Sequence, residues 1–201
     1  MTTAVHPYYP TDLVIDLFQP NTTPLWLLAS AFAGLICCVL AGVGAASKRA
    51  NRHLTTSEML TVSWFALCAF LHCCFEGYFV LFHREVAGRQ DLFAQLWKEY
   101  SLSDSRYLVS DPFMVCIETV TVLVWGPLSI AAAAAVVQRS PLRALLSTLV
   151  SVGHLYGVVL YFATCFAEQA LTGRAHSRPE FLYFWVYFAG CNIPWAIVPS
   201  S

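Results

Sequence analysis

MLTVSWFALCAFLHCCFEGYFVLF, residues 59–82, is the stretch that decides what kind of chain this is. It is apolar over more than the ~20 residues that cross a bilayer core at about 1.5 Å per residue. Yet it carries a histidine and a carboxylate, His72 and Glu76. A charged side chain at bilayer depth costs roughly 2.5–3.5 kcal/mol, while an apolar residue returns only about 0.3–0.6 kcal/mol. The segment therefore gives up much of its insertion energy to hold these two groups. Four apart on a helix, they share one face. Phe65, Cys68, Phe79 and His83 continue that stripe.

Four more apolar segments flank this one, at residues 24–46, 112–137, 144–167 and 181–198. Helix is the default in lipid, because an open strand leaves its backbone groups unsatisfied. The expectation is an all-α polytopic membrane protein. A single domain over residues 1–201 would form a five-transmembrane-helix bundle enclosing a membrane-accessible cavity. Composition agrees: 58% of residues are hydrophobic and 11% charged, with mean hydropathy +0.61, against about 45–50% and about 25% in soluble chains. A net charge of -1 offers no basic field for nucleic acid. All eight cysteines lie in apolar runs without a CxxC pair, so they read as small packing residues rather than disulfides or a metal site.

Every Lys and Arg falls between the spans or at their edges. The connector Gln138–Arg143 is so short that the spans it joins must be antiparallel neighbours. The longer connector, His83–Asp111, contains LFAQLWKEY (92–100), an amphipathic helix. It reads either as an interfacial helix with an aromatic anchor or as a lid over a cavity mouth. Lys48, Arg49 and Arg52 follow the first span, whereas no Lys or Arg precedes it. That bias puts the N-terminus outside the cytoplasm. No cleavable signal peptide is expected, since the first 24 residues hold prolines and acids but no basic start and no apolar core.

The remaining intramembrane polar groups sit in three other spans. Glu118, in VCIETVTVLVWGPLS (115–129), has Thr121 and Trp125 on the same helical face. Asn192 and Trp195 follow one another in YFAGCNIPWAI (187–197), where Pro194 frees a backbone carbonyl and can kink the helix. His154 and Tyr161 share a face of the fourth span. Each has a plain alternative. His72 and Glu76 can bond one another as interhelical glue, and Thr121 can bond its own helix. Asn192 can bridge helices, Trp195 can mark the membrane interface, and His154 reads as a structural histidine. Glu118 is hardest to explain away, because no Lys or Arg lies within any span to pair with it. Two carboxyls, an imidazole and aromatic faces, with no fixed cation, make an interior suited to a cationic guest. A carboxyl in a dry cavity also has reason to hold a proton and act as an acid. That combination suits carbocation chemistry on a lipid. No Gly-rich nucleotide loop, HExxH or GxSxG motif directs it elsewhere.

At these residues the chain resembles the emopamil-binding family, the sterol 8,7-isomerases with an EXPERA domain. The likeness runs from MTT...HPYYP through FLHCCFEGYFVLF, LWKEYSLSDSRY, VCIETVTVLVWGPLS and PLRALLSTLVSVGHLYGVVLYF to LYFWVYF and CNIPW. It implies a multi-pass protein of the endoplasmic reticulum membrane that moves a sterol double bond from 8(9) to 7(8) without cofactor or metal. A proton adds at carbon 9, a cation forms at carbon 8, and carbon 7 loses a proton. Carried over, His72 and Glu76 are the acid/base pair, Glu118 and Thr121 a second polar pair, and Asn192 and Trp195 a third. Thr121 and Asn192 would orient the reacting groups by hydrogen bonds, and Trp195 would face the cation. The order in which Glu76 and Glu118 act is left open. Phe65, Phe79, Tyr100, Tyr107, Trp125 and Tyr187 are candidates for the substrate pocket. The implied partners are a membrane sterol and cationic amphiphilic amines, whose ammonium mimics the cation.

Two departures stand out. Val158 occupies a position where an aspartate is expected, and the chain stops at Ser201, short of a basic retrieval tail. Rival readings are a non-catalytic sterol or amphiphile binder and a small transporter, the latter without its usual inverted repeat. Gly34, Gly42 and Gly44, with the alanine run 131–135, are compatible with a homodimer or with close packing inside one bundle.

Overall fold

The structure is a computed structural model that describes residues 6–198. The MTT opening and the end of the chain, residues 199–201, lie outside the described residues. Four long helices correspond to the first four apolar segments: α1 (Leu25–Ala50), α2 (Thr56–Phe82), α4 (Pro112–Val137) and α5 (Arg143–Thr172). A shorter helix, α3 (Leu92–Tyr100), lies in the long connector. All four long helices have the length and apolar character to cross a membrane. Their outer surfaces are bare in the molecule itself. The most apolar window of α1 is only 6% buried, against 28–39% for the other three. Water would not tolerate that much contiguous apolar surface, so the surroundings it calls for are lipid.

Local chemistry sets the helix ends. Thr55 caps α2 in a reciprocal box with Glu58, each accepting from the other's backbone N–H, an arrangement worth about 1 kcal/mol. Asp91 and Asp111 cap α3 and α4 through Ala94 N and Met114 N. Gly173, at φ 73°, closes α5 in the left-handed conformation that favours glycine. The short link between α4 and α5 makes them packed neighbours, as expected.

The helices are not uniform. Leu71–Glu76 within α2 and Thr121–Trp125 within α4 are wound as π-helix. The final apolar segment is π-helical over Leu182–Gly190, turns at residues 191–193, and resumes as the short α6 (Pro194–Ile197). It is thus not one continuous α-helix. Widened turns are rare in helices and, as single turns such as those of α2 and α4, occur mostly at functional sites.

The connector is packed onto the bundle. Trp97 is buried and stacks on Phe75, ring centres 4.5 Å apart and planes within 7°. Its Nε1–H donates to the Phe75 carbonyl at the widened turn of α2 (3.0 Å). The N-terminal arm straps α3 down. Tyr8 donates to Lys98 O, and Gln95 Oε1 accepts from Thr22 N and Thr23 N. The alanine run of α4 packs inward, with Ala132 against Phe65 and Val150, so it serves the bundle. Gly34 and Gly42 of α1 face open space.

Candidate active site

A cavity of about 660 Å³ lies between the long helices, α3 and the final segment, within the ~300–1,000 Å³ typical of small-molecule sites. His72, Glu76, Glu118, Thr121, Asn192 and Trp195 all line it, together with His154. So do four of the six expected pocket residues, Tyr100, Tyr107, Trp125 and Tyr187. Leu96, Trp97 and Glu99 from α3 close one side.

The widened turns explain which side chains meet. His72 and Glu76 fall on the first, Thr121 and Trp125 on the second, and Tyr187 on the third, just before Asn192. An added residue per turn rotates everything downstream of it around the helix axis. That rotation accounts for one correction. Phe79, expected on the stripe with His72, packs outside the cavity lining against Trp97 and Tyr107. Phe65 also fails to reach the lining, for a different reason. It lies upstream of the widened turn, about 10 Å along the axis from His72, and is buried with Ala132 and Val150.

Two hydrogen-bonded acid pairs face the cavity. His72 Nδ1 bonds Glu76 Oε2 at 2.8 Å, across i,i+4. Tyr107 donates its hydroxyl to Glu118 Oε1 at 2.7 Å. Tyr107 stays a donor, because burial first, and then the Glu118 carboxylate, hold its phenol well above the usual range. Glu118 and Glu76 are themselves neighbours. The Trp195 ring centre is 6.4 Å from that of His72.

Thr121 and Asn192 depart from the orienting roles expected of them. The Thr121 hydroxyl donates to Ile117 O at 2.9 Å, so its proton is used within its own helix. Asn192 Nδ2 donates to Tyr100 Oη (3.0 Å) and Phe188 O (2.8 Å). It therefore fixes an aromatic wall instead of a carboxylate. Tyr107 holds Glu118 in their place.

Two features were not anticipated. His154 Nε2 lies 3.0 Å from His72 Nε2, so the histidine read as structural touches the His72–Glu76 pair. The signal was present in an intramembrane histidine, but nothing local named its partner. The interior also holds a fixed cation. Arg106, only 2% exposed, enters from the connector and bonds Asp104 through Nε and Nη2. Its guanidinium lies over the Tyr161 ring at 5.3 Å and reaches Thr164 Oγ1. Paired in this way and outside the cavity lining, it leaves the two carboxyls unopposed.

Gly153 of α5 gives the Trp125 wall its position. A methyl there would come within 2.6–2.7 Å of three indole carbons. Gly153→Ala is expected to push the indole into the cavity and to cost about 1–3 kcal/mol of stability. The checks are a lowered melting temperature in detergent and weakened binding of a cavity ligand.

Residues 92–201 match the profile of the EBP family, described as EXPERA (EXPanded EBP superfamily). The chain is 38% identical to a 3-beta-hydroxysteroid-Delta(8),Delta(7)-isomerase of Cavia porcellus, over 99% of this chain and 86% of that protein. It is 40% identical to the Rattus norvegicus protein of the same name, over 98% of this chain and 84% of that one. It is likewise 40% identical to the Mus musculus protein, over 99% and 86%.

Proposed function

The chain belongs to the EBP family of EXPERA proteins, and from that premise we propose that it is a sterol isomerase moving a double bond from 8(9) to 7(8) within the membrane. The observation that carries this reading is the meeting of the His72–Glu76 and Tyr107–Glu118 pairs in one apolar cavity beside Trp195.

In this mechanism a sterol enters the cavity from the bilayer. Glu76, backed by His72, delivers a proton to carbon 9, and the double-bond electrons form the new C–H bond. The cation left at carbon 8 lies among Glu118, the Trp195 face and the second carboxyl. Cation–π attraction of about 0.5–2 kcal/mol supports the aromatic part of that role, and fixed carboxylates in a water-poor site are the stronger contribution. Glu118 then takes a proton from carbon 7, and the C–H electrons become the 7(8) double bond. Glu118 then passes the recovered proton to its neighbour Glu76, which restores both groups and closes the cycle. Tyr107 keeps Glu118 oriented throughout, and Asn192 steadies Tyr100.

The same reading extends to the molecule's setting. The final segment serves as a fifth crossing, and the cavity opens to the bilayer. The N-terminus is lumenal in the endoplasmic reticulum membrane. Cationic amphiphilic amines occupy the cavity because their ammonium resembles the cation. The bare face of α1 around Gly34 and Gly42 is where a homodimer would form.

The test is the sterol profile, by gas chromatography and mass spectrometry, of cells lacking their own 8,7-isomerase and expressing this chain. Conversion of 8-ene to 7-ene sterols, lost in Glu76→Gln, is the expected result. Persistent 8-ene sterols, alongside folded protein that still binds a cationic amine, would replace the enzyme with a non-catalytic binder.

A further inference from the structure

His154 and Cys68 add something that isomerisation does not require. The Cys68 sulfur and a ring nitrogen from each of His72 and His154 all lie within 4.8 Å of one another, and all three residues are buried. Cys68 precedes His72 by one turn on α2, so the two project on one side of that helix. His154 approaches from α5. The two Nε2 atoms are 3.0 Å apart, a contact that holds one proton between two nitrogens. The other nitrogen of His72 is held by Glu76. A carboxylate bonded to the far nitrogen of an imidazole is the usual way a metal-ligating histidine is oriented. With the His72 Nδ1–H given to Glu76, the shared proton belongs to His154 Nε2, while His154 Nδ1 is buried without a partner and free to take that proton instead.

We propose that Cys68, His72 and His154 form a site for a borderline-soft divalent cation of the zinc type, which replaces the shared proton and thereby disables the His72–Glu76 pair. One thiolate and two imidazoles select such an ion over magnesium or calcium, which require oxygen ligands. Zinc bonds of about 2.0–2.1 Å to nitrogen and 2.3 Å to sulfur, arranged tetrahedrally, put the two nitrogens roughly 3.3 Å apart. The histidine pair is already close to that separation. The sulfur closes the remainder by side-chain rotation. On binding, Cys68 releases its thiol proton, and the His154 proton moves from Nε2 to Nδ1. The site gains one positive charge, offset by Glu76 and Glu118 nearby. His72 and His154 line the cavity, so the fourth position opens into it, an arrangement of three protein ligands with one vacancy.

The binding claim stands apart from the isomerase reading, whereas the inhibition claim rests on it. The experiment titrates the purified full-length chain in detergent with cobalt(II) as an optical probe, then with zinc. Expected is one thiolate-to-cobalt charge-transfer band per chain, displaced by zinc and absent in both Cys68→Ala and His154→Gln. Zinc should also inhibit sterol isomerisation reversibly on chelation. Cys68→Ala should keep its metal-free turnover and resist zinc at least 10-fold. Absence of the band from the parent chain, or its survival in Cys68→Ala, would overturn the site, whatever the activity. A band with the expected losses in a chain that turns over no sterol would uphold the metal site and remove the isomerase reading instead.

Discussion

Glu118→Gln is expected to lower sterol turnover by about 10²- to 10⁴-fold, the range associated with losing a positioned acid or base. The substitution preserves shape and leaves an oxygen to accept the Tyr107 hydroxyl, now found 2.7 Å from Glu118 Oε1. In the proposed mechanism it removes the negative charge that would face the developing cation, and with it the ability to take a proton. Expression and melting temperature should change little, since the side chain stays bonded and the cavity keeps its volume. Tyr107→Phe supplies the graded companion. It leaves Glu118 charged but unheld, so turnover should fall by less than in Glu118→Gln. Rates from purified protein on an 8-ene sterol decide the matter. Undiminished turnover in Glu118→Gln would remove Glu118 from the chemistry.

The largest expected loss of stability lies at the Asp104–Arg106 pair, outside the cavity lining. Asp104→Asn should destabilise the protein by about 3–5 kcal/mol, because it leaves the Arg106 guanidinium buried without its counter-charge. The Asp104 carboxylate is fully buried and accepts from the backbone N–H, Nε and Nη2 of Arg106. No solvent is at hand to replace it. Thr164 Oγ1 and the Tyr161 ring remain, and neither carries charge. Intrinsic fluorescence, which follows exposure of the buried Trp97, should register a fall in melting temperature of roughly 10 °C or more. Replacing both members with apolar residues, Asp104→Leu with Arg106→Met, should cost less than Asp104→Asn alone. If the single variant melted with the parent chain, the pair would contribute nothing to the fold.

Hydropathy made the outline of this molecule legible, because insertion in lipid depends on summed apolar character over about 20 residues. The first four segments stand as helices whose bounds lie within a few residues of those expected, and the 112–137 segment coincides with α4. The last segment was legible as apolar, but not as a π-helical run broken before Pro194. The polar residues of the site were legible individually, because each was costly where it stood, and the structure gathers His72, Glu76, Glu118, Thr121, Asn192 and Trp195 around one cavity. Their partners were not. Face-sharing arguments assume 3.6 residues per turn, and Phe79 lies beyond a turn that does not obey it. Tyr107 reaches Glu118 from a connector, and His154 reaches His72 across 82 residues. Neither contact leaves a periodic trace in the chain. Arg106 was hidden for a related reason, since a connector residue folded back into the bundle looks like any surface arginine.

The three widened turns can also be viewed as a metallurgist views a dislocation, a line of extra material that spoils the lattice locally and fixes where the solid will yield. The two within α2 and α4 each hold one residue more than a regular helix needs. Removing one residue from 71–76 or from 121–125 would let the helix anneal into an ordinary one, while swinging every later side chain by about 100°. Such a chain could gain regularity and lose its cavity in the same step. Single-residue deletions, ordinarily among the harshest changes a buried helix can suffer, would here separate the part of each helix that crosses the membrane from the part that makes it hollow.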